Sequence, residues 1–175
     1  MFAAAEAYGT QLWKGFKSDS LPVKYVSGST HCGRHWKDVD NVLLPVNVFK
    51  SHWVVLCLDL NTWEINAFSS TKNPTLRTAL TPLAKILPVM YNQLGFNDMK
   101  PVKAKLQAGG RWKINIMKAP QQLGGGDCGI FALKFIEYMA YSKNPSKVIA
   151  DKIEWFCWKA ALDMYVHGKT YNDRT

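Results

Sequence analysis

The sequence lacks several features that define membrane and secreted proteins. No hydrophobic run reaches about 18 residues, so no transmembrane helix is predicted. The amino end, residues 1–7, contains Glu6 and has no basic flank, and it therefore does not look like a secretory signal. The 4 cysteines are widely and irregularly spaced, which argues against a disulfide framework. We therefore expect an intracellular protein with reduced thiols and no membrane partner.

Internal repeats, low-complexity tracts and long blocks of like charge are also missing. The 175 residues are 47% hydrophobic, which suits one globular domain spanning residues 1–175 with its own core. Lysine and arginine number 22 against 13 acidic residues, a formal net charge of +9. Such a surface attracts polyanions or an acidic protein partner, with solvated lysines of no specific role as the alternative. Nucleic acid is the weaker choice of partner, because no recognition motif supports it.

The first half of the chain predicts three strands. Residues 42–46 form a short buried strand, which Pro45 places at an end or an edge of the sheet. Residues 53–60 and 63–69 predict a β-hairpin that turns at Asn61 and Thr62. The first hairpin strand is apolar on both faces, so other elements must cover both sides of it.

The later part of the chain predicts helices and one more strand. Apolar residues at intervals of four and three over 76–94 indicate a helix, with Asn73 as its N-cap, Pro74 as its first residue and Gly95 as its stop. Prolines at positions 82 and 88 predict a kink or a break in that helix. The remaining predictions are a strand and two helices. The strand runs through Trp112, Ile114 and Ile116, the first helix has a stripe of Ile130, Leu133, Ile136 or Glu137, and Ala140, and the second helix runs from Asn144 through Met164 to near Gly168. Without a regular βαβ alternation, the fold class is α+β.

Cys128 stands where a thiol can become reactive. It follows Gly124, Gly125, Gly126 and Asp127 and begins a predicted helix. Backbone N–H groups and the positive end of a helix dipole stabilise a thiolate. The glycines leave room for a substrate backbone to approach. A small buried hydrophobic side chain is the alternative role for such a cysteine.

A nucleophilic thiol needs a base, and the chain offers 4 histidines. His52 lies at the start of a predicted strand, immediately before Trp53. His167 lies in the last turn of a predicted helix, where a contact with the helix end explains it. His31, Cys32 and His35 supply three possible metal ligands within a short stretch, but no second ligand pair follows at a standard spacing. We therefore predict no metal site.

Two segments, Trp36–Trp53 and Pro120–Phe131, resemble the ubiquitin-like-protein proteases, which are cysteine proteases that process SUMO-type modifiers and remove them from target proteins. The family pattern is a Pro-x-Asn strand end, a His-Trp pair, a hairpin, and a Gln six residues before the Cys of an Asp-Cys-Gly. The resemblance covers residues 36–141, and residues 1–35 are poorly matched. The matching residues are Pro45, Asn47, His52, Trp53, Gln122, Asp127, Cys128 and Gly129.

The resemblance implies a papain-like α+β fold with a mixed central sheet, a nucleophile-bearing helix and flanking helices. In this reading Cys128 attacks the carbonyl of a modifier's C-terminal glycine, and His52 is its proton partner. The side-chain amide of Gln122 and the backbone N–H of Cys128 form the oxyanion hole. Trp53 covers the channel for a Gly-Gly tail, with a core tryptophan as the alternative, and Gly126 and Asp127 also bind substrate. The implied partner is a SUMO-like modifier with its conjugates. The protein would be a monomer of the nucleus or cytoplasm that needs no cofactor.

The sequence departs from the family pattern beside the histidine. In a hairpin that turns at Asn61 and Thr62, the numbers of two paired residues sum to 121–123. The residue opposite His52 is therefore predicted to be one of residues 69–71. The family has an aspartate seventeen residues after the histidine, where this chain has Ser69. Asp59 and Asn66 face the other side of their strands, and Glu64 is farther away. A serine can hold an imidazole tautomer but cannot supply a negative charge.

This departure leaves two functions open. A Cys-His pair depends on its third member less than a Ser-His pair does, so we expect weakened catalysis. A modifier- or protein-binding module that has lost catalysis is the alternative. A second departure lies upstream, where family members carry a Trp-Leu-x-Asp segment. Residues 1–35 do not show this pattern, because Trp13 is not followed by it.

Overall fold

The computed structural model describes residues 21–30, 33–93, 95 and 110–172. The candidate metal ligands His31 and Cys32, as well as Trp13 and Leu94, lie outside the described residues. Among the described residues, no helix combines the length and apolar composition needed to cross a bilayer. The elements are α1 (Leu21–Val26), β1 (Asn41–Val48), β2 (His52–Asp59), β3 (Glu64–Phe68), α2 (Leu76–Gln93), β4 (Lys113–Ile116), α3 (Cys128–Ala140) and α4 (Ile153–Asn172).

The four strands form one mixed sheet in the order β1-β2-β3-β4. The first two strand pairs are antiparallel, and β3 pairs with β4 in parallel. Helices cover this sheet, so the predicted α+β class is confirmed. Pro45 is exposed on β1, which is an edge strand, as expected for a residue that cannot donate a ladder hydrogen bond.

The hairpin of β2 and β3 is confirmed, with Val55 opposite Phe68. Asp59 shapes the turn, because its Oδ1 accepts the backbone N–H groups of Asn61 at 2.9 Å and Thr62 at 3.0 Å. Trp63 belongs to this turn with a φ of 57°, so the predicted start of the second strand at residue 63 is one residue too early.

Strand β2 is buried on both faces, as its composition predicts. Val54, Leu56 and Leu58 pack into a core that includes side chains of α2. Val55, between them in sequence, packs into a second core with Phe131 of α3. Since successive side chains of a strand point to opposite faces, helices α2 and α3 must lie on opposite sides of the sheet.

Helix α2 runs unbroken through Pro82 and Pro88, so the predicted break is wrong. A proline removes the N–H that would bond to the carbonyl four residues earlier, which for Pro88 is the carbonyl of Ala84. That carbonyl accepts the backbone N–H of Trp112 at 2.9 Å instead. The lost helical bond is therefore replaced by one that ties the segment entering β4 to α2.

The structure corrects the buried faces of two other predicted elements. Helix α3 buries Cys128, Phe131, Ala132 and Phe135, whereas Leu133, expected in the core, is 58% exposed. Because this helix is apolar on nearly every side, its periodicity does not choose a face. Ile116, predicted as a core residue of the last strand, is 44% exposed near the end of β4.

The predicted third helix starts too early and stops too soon. Asn144 instead caps a short 3-10 turn, Pro145–Lys147, by accepting the backbone N–H of Ser146 at 2.9 Å. A second turn, Ala150–Lys152, leads into α4, which continues through Gly168. Met164, predicted to be buried, is 75% exposed, because α4 packs on the second core only near its start.

Two substitutions in α3 test this assignment of faces. We expect Phe131→Ala to lower the free energy of unfolding by about 3 to 5 kcal/mol, because the ring is 1% exposed. Leu133→Ala is the matched control on the same helix and should change it by less than about 0.5 kcal/mol. Denaturant unfolding measures both values, and an equal loss in the two variants would contradict the assignment.

Candidate active site

Cys128 is the first residue of α3 and follows an open glycine loop. A Cβ on Gly125 or Gly126 would meet no atom of the described residues within 4 Å. Gly126 has a φ of 94°, a conformation that favours glycine. The cysteine is 8% exposed, and within the described part of the chain its thiol has no hydrogen-bond partner. Asp127 precedes the helix without capping it through its side chain.

His52 is the first residue of β2, and its imidazole contacts two hydroxyl groups. Its Nε2 lies 3.0 Å from Oγ of Ser69 and 3.1 Å from Oγ1 of Thr71. In the observed hairpin, the numbers of paired residues sum to 123. Continued beyond the last pair, the same register places Thr71 opposite His52. Sequence reasoning gave the range 69–71 and selected Ser69. It missed Thr71, although the same arithmetic contained it.

The hydrogen bonds around Ser69 determine the tautomer of His52. The Ser69 hydroxyl donates its proton to the carbonyl of Thr71 at 2.8 Å, so toward His52 its oxygen must accept. We therefore assign the proton of the neutral imidazole to Nε2, where it is shared by the two hydroxyl oxygens. Nδ1 is then the ring atom that can accept a proton.

Burial lowers the pKa of His52 below its ordinary value of 6.5. Among the described residues, no carboxylate hydrogen-bonds to the imidazole to oppose this effect. The carboxylates of the hairpin lie near its turn and have other partners: Asp59 caps the turn, and Glu64 accepts from Lys113 at 2.9 Å. Asn66 accepts from Asn115 at 2.9 Å and is not at the site.

Gln122 is held by a buried serine that sequence reasoning also missed. Its Oε1 accepts the Ser70 hydroxyl at 2.7 Å, and its Nε2 donates to the carbonyl of Gly124 at 2.8 Å. Its backbone N–H donates to the carbonyl of Ser70 at 2.8 Å. Ser70 is 1% exposed, so both of its contacts with Gln122 are shielded from solvent. One N–H of the Gln122 side-chain amide remains for another acceptor.

Trp53 joins the start of β2 to the start of α3. Its Cδ1 lies 3.9 Å from the position that a Cβ on Gly129 would occupy. The indole is 43% exposed, so Trp53 is not the core tryptophan of the alternative interpretation. His52 and Cys128 are the chain neighbours of these two residues, and their backbones therefore both lie near the start of β2.

The described residues contain no group of three or more His, Cys, Asp and Glu side chains that could hold a metal ion. Of the residues predicted for the site, His52 and Ser69 are brought into direct contact, while Gln122 is linked to the same segment through Ser70. Trp53 lies against the first turn of the helix that Cys128 begins.

The pKa of His52 gives a direct test of this environment. In an NMR titration of the folded protein, with the signal assigned by comparison with His52→Gln, the midpoint should fall below 6.5. The unfolded chain then takes up the proton first, so the stability contributed by neutral His52 is present above 6.5 and is lost as pH falls toward the folded-state pKa. A midpoint at or above 6.5 would mean that a negative charge reaches the imidazole.

Residues 11–169 match the family model of the Ulp1 protease family, C-terminal catalytic domain. Two structures of the SUMO protease Ulp1 share the fold. The form with a sulfenic acid at the catalytic cysteine has a TM-score of 0.52 and 17% identity, over 89% of this chain and 69% of that chain. The sulfonic acid form has a TM-score of 0.51 and 18% identity, over 83% of this chain and 62% of that chain.

A third structure is the C-terminal Ulp1 protease domain in complex with Smt3, the yeast ortholog of SUMO. It has a TM-score of 0.46 and 21% identity over 64% of this chain, and the match spans 46% of that chain's own length. The search of curated proteins found no match. The family model covers most of the sequence, and the chain therefore belongs to the Ulp1 protease family.

Proposed function

We propose that this protein is a cysteine protease that cleaves after the C-terminal Gly-Gly of a SUMO-like modifier. The observation that carries the proposal is the meeting of two segments at the start of β2. The Trp53 ring lies 3.9 Å from where a Cβ on Gly129 would be, and the Ser70–Gln122 hydrogen bond joins the segment beside His52 to the loop before the helix. The related solved structures are SUMO proteases, which supports the same substrate class for this chain.

In the proposed reaction His52 accepts the thiol proton of Cys128 at Nδ1, and the thiolate attacks the carbonyl carbon of the modifier's terminal glycine. The remaining amide N–H of Gln122 and the backbone N–H of Cys128 stabilise the oxyanion. The imidazolium returns its proton to the departing amine as the C–N bond breaks. Water then hydrolyses the thioester, with His52 again accepting a proton. Catalytic hydrogen bonds often tighten only when substrate binds, so the reaction does not require that the Cys128 thiol already have a hydrogen-bond partner.

The surroundings of Cys128 suit a narrow, flexible tail. Gly125 and Gly126 leave open space, and the exposed indole of Trp53 would close over the tail on the other side. We assign Gly126 and Asp127 to the wall of this channel. The net charge of +9 favours an acidic modifier. We further propose that residues 1–175 form one catalytic domain, that it acts as a monomer without a cofactor, and that it works inside the cell, in the nucleus or cytoplasm.

A modifier-binding module without catalysis is the second candidate function. It is favoured by the hydroxyl-only partners of His52, because hydroxyl groups add no negative charge to stabilise the imidazolium. In this case the channel would still hold a glycine tail, but bond cleavage would be absent.

A modifier carrying a C-terminal electrophile separates the two functions. We expect a covalent adduct with the unmodified protein, seen as a mass shift, and none with Cys128→Ala. Cys157→Ala is the control, because Cys157 is an exposed free thiol that a non-specific reaction would also modify. Retained binding without an adduct in the unmodified protein would overturn the protease assignment and support the binding module.

A substitution at Ser69, where the family has an aspartate, tests the effect of the missing carboxylate on catalysis. Ser69→Asp should raise kcat/KM for a modifier-amide substrate by roughly fivefold to tenfold, because a charged acceptor stabilises imidazolium better than a hydroxyl. Ser69→Asn has the same shape without the charge and is the matched control. Equal rates for the two variants would contradict this role for charge.

A further inference from the structure

We propose that Thr71 is a positioning residue for His52 which, together with Ser69, occupies the place that a carboxylate has in the family pattern. This inference rests on the proposed protease function and deepens it. Thr71 Oγ1 lies 3.1 Å from Nε2 of His52, and Ser69 Oγ lies 3.0 Å from the same atom. A single imidazole N–H is therefore shared by two hydroxyl oxygens.

The backbone of Thr71 also controls what Ser69 can do. The Thr71 carbonyl accepts the Ser69 hydroxyl proton at 2.8 Å, and the Thr71 N–H donates to Ser69 Oγ at 3.3 Å. The Ser69 oxygen thereby donates one hydrogen bond and accepts from Thr71 and from His52, which uses its full capacity. Its only remaining role toward the imidazole is that of an acceptor.

The two hydroxyls act on the ring through position and not through charge. Two acceptors on one nitrogen fix the Nε2–H tautomer and oppose rotation of the ring. Nδ1 then keeps its lone pair for the proton of Cys128. Because the two acceptors share one N–H, either can hold the ring when the other is absent. The loss of both should cost more than the product of the two single losses.

The first test measures kcat and KM for the variants Thr71→Val, Ser69→Ala and the double variant. Valine keeps the shape of threonine, so folding should be preserved. Each single variant should lose roughly twofold to threefold in kcat, and the double variant at least about tenfold, with KM unchanged. Thr71→Ser restores a hydroxyl and should behave as the unmodified protein. An additive double variant, or a Thr71→Val protein with full activity in both backgrounds, would overturn the proposal.

The second test reads the tautomer without turnover. Ring ¹⁵N shifts of His52 in the Cys128→Ala protein should show a protonated Nε2 at a pH where the ring is neutral. Ser69→Ala with Thr71→Val should give a mixture of tautomers. An Nε2 proton unchanged in that double variant would overturn the proposal. Failure of the proposed protease function would appear as absent labelling with an intact tautomer signal, so the two failures can be distinguished.

Discussion

Burial of β2 on both faces is the constraint on which the site depends. Val54 and Val55 are neighbours in sequence, both are completely buried, and they belong to different cores. The core that holds Val55 is filled by Phe131 and other side chains of α3. This packing lays α3 across β2, so its first turn reaches the beginning of the strand. The closeness of the Trp53 ring to Gly129 follows from that arrangement.

The segment after β3 divides its side chains between two partners. Ser69 and Thr71 contact His52, whereas Ser70, between them, contacts Gln122. The chain bends at Ser70 and Thr71, and hydrogen bonds between the Ser69 hydroxyl and the Thr71 backbone hold these two residues together beside His52. Three successive hydroxyl residues therefore contact the proposed base and the proposed oxyanion donor.

The hairpin and its partners show how far sequence reasoning reaches. The polar turn and the apolar run before it predict β2 and β3, and the sum of paired positions predicts a partner for His52 within residues 69–71. It does not choose between Ser69 and Thr71, because strands end and bend where the site begins. Ser70 gave no signal of its own, since a serine has no periodic pattern and finds Gln122 only across the folded molecule.

The prolines of α2 and the buried face of α3 show what local sequence does not predict. Pro88 predicts a disrupted helix from local chemistry, but the carbonyl that it frees is satisfied by Trp112 from a distant segment. Helix α3 offers apolar side chains in nearly every direction, and only the sheet selects Phe131 over Leu133.

The sequence by itself determined the strands, the hairpin, the glycine loop before Cys128 and the family pattern, because these depend on neighbours a few residues apart. Only the tertiary structure decided which helix face is buried, which hydroxyls meet His52 and how Gln122 is held. Those choices depend on contacts between segments that lie far apart in the chain, and no local period encodes them.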